Sequence, residues 1–506
     1  MKKVIYSILA LSLFFTWGCK KGYLDINQNP NQPTSAQPEQ ILPTALNNTA
    51  GRWTHREMGA FWMGQWAPSG SVSGFTAEKT YNPASNYRTA IWSGIYDNLK
   101  DYDFVEKEAE KSGKDALRGI AKIMKVYNYQ ILVDTYGNVP YTEALQGTDV
   151  IRPTYDKAED IYDDFIVQLD TAIALLKKPE SSINVFPRSS DIVFGGDATK
   201  WVKFANTMKI KVLLRHANNS AKAAYIQTNV DNIVAEGSGF ITENVLSNPG
   251  YLQSDGKLNQ FWATYFKDAA GTNVTAVSFY AVGAYFKTML DGRETIGEYR
   301  GRGGFYSATA SLEGVTLGQL DAPLYANCSK FNEEGLFLCQ SFNQDSYLMS
   351  AAESFFLQAE AAERGYLADD AQMLYNKGVE ASFVENYIPG GYTGAASDAA
   401  AYVSNGEEVS DYADAPDKIE LIITQKYIAG FGHGAFEAWC DYRRTGFPNP
   451  TALDGTGDIF YSPQSIFGKS IPARLLYPST EEQTNSANAL AEGITNVHTQ
   501  KLFWAK

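Results

Sequence analysis

The sequence predicts a mostly α-helical protein, built of stacked helical hairpins and interrupted by an irregular, loop-rich part. Three observations predict it. Apolar residues recur at three- and four-residue steps through several long runs, which is the period of an amphipathic helix. Small residues fall where two such helices would cross, within 350–381. Between the helical blocks, residues 218–345 lose sustained periodicity and are rich in Gly, Asn, Thr and Ser. A long irregular stretch of that kind is usually functional rather than core.

The chain opens with Met1-Lys2-Lys3, an apolar run from Val4 to Phe15, then Thr16-Trp17-Gly18-Cys19. The run has the length of a signal-peptide core and falls short of the roughly 20 apolar residues that span a bilayer. Cleavage after Gly18 and a Cys19 thiol free to take a lipid are what a lipoprotein signal needs, so residues 1–18 read as one, although Thr16 and Trp17 depart from the usual lipobox. Residues 19–35 include Asn27-Gln28-Asn29-Pro30-Asn31-Gln32-Pro33, polar and broken by proline. They read as a flexible tether. Residues 36–506 are expected to form one domain.

A short helix is expected from about Pro43, with the proline in its first turn. Residues 52–66 then crowd Trp53, Phe61, Trp62 and Trp66 into a candidate helix that runs into a Gly/Ser/Pro loop holding Phe75 and Tyr81. A helix entering an aromatic-edged loop is a common place for binding residues. The spacing of Trp62 and Trp66, four apart, equally describes one buried helical face.

Residues 85–136 read as two helices broken at Ser112-Gly113. The second carries the stripe Leu117, Ile120, Met124, Tyr127 and Ile131 and stops at Gly137. The next, over 155–178, buries Ala158, Ile161, Phe165, Leu169, Ala172 and Leu176. Asp197 is placed to cap another that runs to about Ala217. In the irregular part, Trp262, Tyr265 and Phe266 stand in a polar setting between Asn259 and Asp268. Gly301-Arg302-Gly303-Gly304 lacks the strand-and-helix frame of a phosphate-binding loop.

Helices return at Ser350. Leu357, Ala361 and Gly365, followed by Ala371, Tyr375, Gly378 and Ala381, form a helix-turn-helix that looks like a tetratricopeptide-type hairpin. Such hairpins cannot bury their faces alone, so they stack. Pro416 is expected to open a helix through Ala429. A Gly-rich turn leads to a last helix bearing Glu437, Asp441, Arg443 and Arg444. Those four fit structural ion pairing better than a catalytic carboxylate pair. From Ile471 the chain is expected to be mostly loop.

Composition narrows the function. A net charge of −14 repels nucleic acid phosphates, and no run of Lys/Arg overrides it. Aromatics make up 13% of residues, with 31 Tyr and 9 Trp. On an exported acidic chain that excess suits stacking on sugar faces. With four His and four Cys there is no cluster of metal-ligand spacing, and nothing points to a metal or a cofactor. Cys328 and Cys339 either close a short disulfide loop or stay as two buried thiols, and the sequence leaves both open. Cys440 reads as a small buried apolar residue.

Five stretches carry a resemblance. They are Leu132-Val-Asp-Thr-Tyr-Gly-Asn-Val-Pro-Tyr-Thr-Glu-Ala-Leu145, Asp197 to Arg215, Phe356-Leu-Gln-Ala-Glu-Ala-Ala-Glu-Arg-Gly365, Glu437-Ala-Trp-Cys-Asp-Tyr-Arg-Arg-Thr-Gly446 and Ile471-Pro-Ala-Arg-Leu-Leu-Tyr-Pro478. In this order, after a lipoprotein signal, they resemble the SusD/RagB family of nutrient-binding outer-membrane lipoproteins of Bacteroidetes. The resemblance implies a SusD-like fold, a surface-exposed lid on a SusC-like TonB-dependent transporter, and binding of a nutrient, usually a glycan, without catalysis. Its ligand residues vary between members and do not transfer by motif. The expected ligand residues are therefore the aromatics of the irregular segments: Trp62, Trp66, Phe75, Tyr81, Trp262 and Tyr265. The competing readings are a peptide or other oligomer as ligand, a glycoside hydrolase, for which none of the 57 acidic residues is marked out, and a structural adaptor.

Overall fold

Helical hairpins form the frame, because each amphipathic stripe needs a facing stripe to leave water. The computed structural model describes residues 36–386, 394–450 and 457–506. The expected signal, Cys19 and tether lie outside the described residues. Helices α1 (Pro38–Ala50) and α2 (Thr54–Trp62) are followed by strand β1 (Trp66–Pro68) and the one-turn helix α3 (Thr76–Thr80). Then come α4 (Ala90–Ser112), α5 (Asp115–Tyr136), α6 (Ala158–Leu176), α7 (Ala198–Arg215) and α8 (Ala223–Glu236). Each of α4 to α8 packs on the next, and α1 covers α4.

The breaks fall where the local chemistry puts them. Gly113 (φ +70°) takes the left-handed position that ends α4, and the Lys114 N–H closes back on the Ala109 carbonyl. Asp197 caps α7 by accepting from the N–H groups of Thr199 and Lys200. The C-terminal block holds α11 (Ala351–Glu363), α12 (Ala371–Asn386), α13 (Ala395–Tyr402), α14 (Lys418–Ala429) and α15 (Ala435–Thr445). Here α11 pairs with α12, crosses α7 and packs on α14. Gly378 marks the α11–α12 crossing expected from its small residues: a Cβ there would lie 2.8 Å from the Phe356 ring.

Between the blocks, strand β2 (Val245–Ser247) precedes α9 (Gln260–Tyr265), β3 (Tyr280–Val282), α10 (Ala284–Asp291) and β4 (Ser346–Met349). β1 pairs antiparallel with β3 in the register Trp66↔Val282, and β2 with β4 in the register Ser247↔Ser346. These two short ribbons tie the irregular part to α2 and α11. Helix α15 returns against α2, so closely that a Cβ on Gly59 would sit 2.4 Å from the Ala435 carbonyl oxygen. Two short helices, α16 (Ser479–Thr484) and α17 (Ser486–Ala491), interrupt the expected C-terminal loop. Residues Pro38–Lys506 cluster as one compact unit. No helix among the described residues is long and apolar enough to cross a membrane.

Three expectations are corrected. α1 starts at Pro38, which takes the first-turn place, so Pro43 lies inside the helix. Pro416 precedes α14 rather than opening it, because Asp417 is the cap and accepts from Ile419 and Glu420. The 14-residue α8 was read as irregular; it buries only Ile226, Val230 and Ile233, a stripe too thin to stand out among polar neighbours.

Candidate functional site

The stretch that leaves β1 gathers left-handed backbone at residues other than glycine. Of the four non-glycine residues with positive φ among the described residues, three lie here: Phe75 (64°), Tyr81 (54°) and Arg88 (44°). Left-handed backbone at such residues costs about 1–3 kcal/mol each and persists only where the surroundings over-determine it. Each has an anchor. The Phe75 ring packs on Phe61 and Tyr280, with centroids at 5.0 and 5.7 Å. The Tyr81 hydroxyl accepts from the Ser462 N–H at 3.0 Å. Arg88 ion-pairs with Glu57 at 2.9 Å and Glu78 at 2.8 Å and donates to the Thr54 carbonyl.

Around Arg88 the two carboxylates collect three tyrosine hydroxyls. Tyr87 donates to Glu78 Oε1 at 2.9 Å. Tyr265 donates to Glu57 Oε2 at 2.7 Å, and Tyr280 to Glu57 Oε1 at 3.3 Å. Burial opposes the charge on Arg88, but Tyr87, Glu57 and Glu78 outweigh it and hold the guanidinium well above its ordinary range. Burial pushes the Tyr87 and Tyr265 hydroxyls up, which keeps them protonated as donors. The cluster opens to water at its edge. Phe75, Tyr87 and Arg88 are half-buried, and Ser71, Ser73, Thr76, Asn82 and Asn86 stand exposed around them. An aromatic face beside fixed donors, acceptors and exposed hydroxyls and amides is the chemistry that recognises a neutral polyhydroxyl ligand.

The structure gathers most of the expected aromatics here, but as floor rather than face. Trp66 stacks on Phe331 at 4.1 Å and meets Tyr265 and Tyr280. Trp62 stacks on Tyr87 at 6.0 Å and lies against Trp439. Trp62, Trp66 and Tyr81 have 0% exposure, Tyr265 1% and Trp262 5%. A ring with no accessible face cannot stack on a sugar, so the expectation that these five meet ligand directly is corrected. Trp262 makes its ring contact with Phe266 and stands apart from the cluster. Phe75 alone of the six keeps an open edge. Glu57, Glu78, Tyr87, Arg88 and Tyr280 were not anticipated. Arg88 and Tyr280 reach Glu57 across 31 and 223 residues, and Tyr87 and Arg88 reach Glu78 across 9 and 10 through a loop, so no helix or strand period marks them.

Cys328, Cys339 and Cys440 are free and buried, so Cys328 and Cys339 do not pair. Cys328 donates to the Pro323 carbonyl, and burial pushes its thiol up to about 11. Cys440 lies with Asp134 and Glu437 in a group whose donor atoms fall within 4.8 Å of one another. That group is an ion-pair network. Arg215 bridges Asp134 (3.1 Å) and Glu437 (2.7 Å), Lys211 bridges Glu437 and Glu353, and Arg443 donates to the Cys440 sulfur. Burial keeps the thiol protonated, and the positive charge a metal would bring is already supplied. Glu437 and Asp441 are thus structural, as their spacing suggested.

Residues 30–478 match the family model SusD-like 2, described as starch-binding and associating with outer membrane. The chain belongs to the SusD-like family. Among solved structures, it is similar to a SusD-like protein from Bacteroides thetaiotaomicron, with TM-score 0.73 and 24% identity over 92% of this chain and 98% of that one. A SusD homolog from Parabacteroides distasonis matches with TM-score 0.73 and 20% identity, over 93% and 98%. A chitin-binding SusD homolog from Flavobacterium johnsoniae matches with TM-score 0.70 and 23% identity, over 92% and 98%. At these identities the likeness shows the fold. No curated protein matches the chain. The helical frame with its irregular insert is therefore the SusD-like fold.

Proposed function

We propose that this SusD-like chain is a non-catalytic, surface-exposed nutrient-binding lipoprotein. It takes a neutral glycan at the Phe75–Arg88 cluster and delivers it to a SusC-like TonB-dependent outer-membrane transporter. The observation that carries the reading is the half-buried Phe75 ring, held by left-handed backbone beside the Glu57–Arg88–Glu78 network. The family description as starch-binding supports a glycan, and the chitin-binding relative widens the class. Glu57 spends both oxygens, and Glu78 its Oε1, on Arg88 and tyrosine hydroxyls, which suits a fixed binding frame better than moving a proton.

Calorimetric titration against starch and chitin oligosaccharides tests this. One of them binds, and Phe75→Ala weakens it about tenfold, the loss expected of one aromatic contact near 1.4 kcal/mol, while Phe75→Trp retains binding. Binding that ignores Phe75→Ala would place the ligand elsewhere. Release of reducing sugar would make the protein a hydrolase. Anchoring is tested separately: Cys19→Ala moves the protein into the soluble fraction. If that variant stays with the outer membrane in cells lacking the transporter, the lipid tether is wrong.

A further inference from the structure

We propose that a second site, in the cleft between α10, α14 and the turn at 405–409, binds a small organic cation with an apolar body. This site does not depend on the glycan reading.

The cleft has a volume of about 580 Å³, within the range of small-molecule sites. Its floor is apolar: Met289, Leu421 and the Tyr285 ring are buried, and Ile296 and Val409 continue the lining to the rim. Its charge is one-sided. Glu407, Glu408, Asp417 and Glu420 line it, against a single cation, Arg293. Asp417 is committed to the α14 N-terminus, accepting from Ile419 and Glu420. Arg293 reaches the Val409 carbonyl at 3.5 Å and ion-pairs with none of these carboxylates. Among the described residues, the side chains of Glu407, Glu408 and Glu420 have neither an ion-pair nor a hydrogen-bond partner.

The independent sign of a ligand is Thr424. It lines the cleft at 8% exposure, and among the described residues its hydroxyl has no hydrogen-bond partner. The hydroxyl is the part of that side chain left open to the cleft, so it is available to an occupant. The occupant that fits carries positive charge for Glu420, a donor for Thr424 and hydrocarbon for the floor. A cation would also relieve Glu420, whose carboxyl is pushed up by burial and by the neighbouring Asp417. A chelated metal ion fits less well. Among the described residues, the cleft's carboxylates do not form a group of three with ligand atoms within 4.8 Å, whereas Asp134, Glu437 and Cys440 do.

Titration calorimetry with 2-phenylethylammonium, 2-phenylethanol and 3-phenylpropanoate tests the proposal on the mature chain. The ammonium binds. The alcohol, the same body without charge, binds at least tenfold more weakly, and the carboxylate does not bind. Glu420→Gln weakens the ammonium about tenfold and Thr424→Val about threefold, each in protein whose circular dichroism is unchanged. Three results overturn the proposal: no heat with the ammonium at millimolar concentration, equal binding of ammonium and alcohol, or an affinity that ignores both substitutions. Binding of starch or chitin oligosaccharides is unaffected by Glu420→Gln, so failure here is distinct from failure at the Phe75 cluster.

Discussion

Arg444→Met destabilises the protein by about 3–5 kcal/mol, the cost of leaving a buried carboxylate without its partner. Arg444 is fully buried and forks onto Glu360, with Nη1 at 2.5 Å and Nη2 at 2.8 Å. The same Nη2 donates to Asp441 at 2.9 Å. Burial pushes the Glu360 carboxyl up, but Arg444 and Arg364 outweigh it and hold it below its usual range, so the carboxylate enters the core charged. Without Arg444, Glu360 keeps only Arg364, which is partly exposed. Domain stabilities are themselves about 5–15 kcal/mol, so the variant should sit near the edge of folding. The denaturant midpoint measures this. The control is Arg444→Met combined with Glu360→Met. Removing both charges leaves Asp441 on Lys426 and lets Arg364 turn to water, so the double variant should recover at least half of the loss. A single variant within about 1 kcal/mol of the parent would show that the pair is not the support described.

The protein should lose stability between pH 7 and pH 5, the window in which unfolded histidines take up their protons. Three of its four histidines are buried in neutral form. Burial, aided by Arg56, lowers His433 to about 3 and His55 well below its ordinary value; burial and Lys222 lower His216 to about 4. The sign follows from linkage. The unfolded chain takes up these protons near pH 6.5 and the folded chain does not, so stability is complete above that pH and falls as the pH drops toward the folded values. Each histidine contributes a loss of about 2 kcal/mol over those two units.

Glu385 works in the opposite direction. Burial raises its carboxyl to about 7, so the folded chain binds that proton first and the gain offsets about one histidine. The net expected loss is about 3–4 kcal/mol, read from urea midpoints at the two pH values. His433→Phe keeps a ring against Tyr347 and Phe337 and should remove its share of the loss. Equal midpoints at pH 7 and pH 5 in the parent would refute the argument.

How much was legible in the sequence follows from how local each signal is. The stripe from Leu117 to Ile131, the Ser112-Gly113 break and the Asp197 cap are decided within a few residues. They stand where the sequence placed them. Helix α8 was missed because three buried residues carry too little periodicity. Trp62 and Trp66 were the ambiguous case. Their spacing fits both a ligand face and a core face, and only the return of Trp439 against Trp62 and the packing of Trp66 on Phe331, Tyr265 and Tyr280 removed the first.

By itself, then, the sequence determined the helical hairpins, their main boundaries, the loop-rich insert and the family, because helix periodicity, capping and motif order are properties of neighbouring residues. The tertiary structure alone decided which aromatics stay open and which carboxylates meet Arg88. It also decided that Cys328 and Cys339 remain thiols, and that the cleft beside Thr424 exists. Those outcomes depend on contacts such as Glu57 with Tyr280, 223 residues apart, and Gln65 with Tyr427, 362 apart. No local pattern encodes a pairing across such distances; burial and charge compensation select it once the hairpins have stacked.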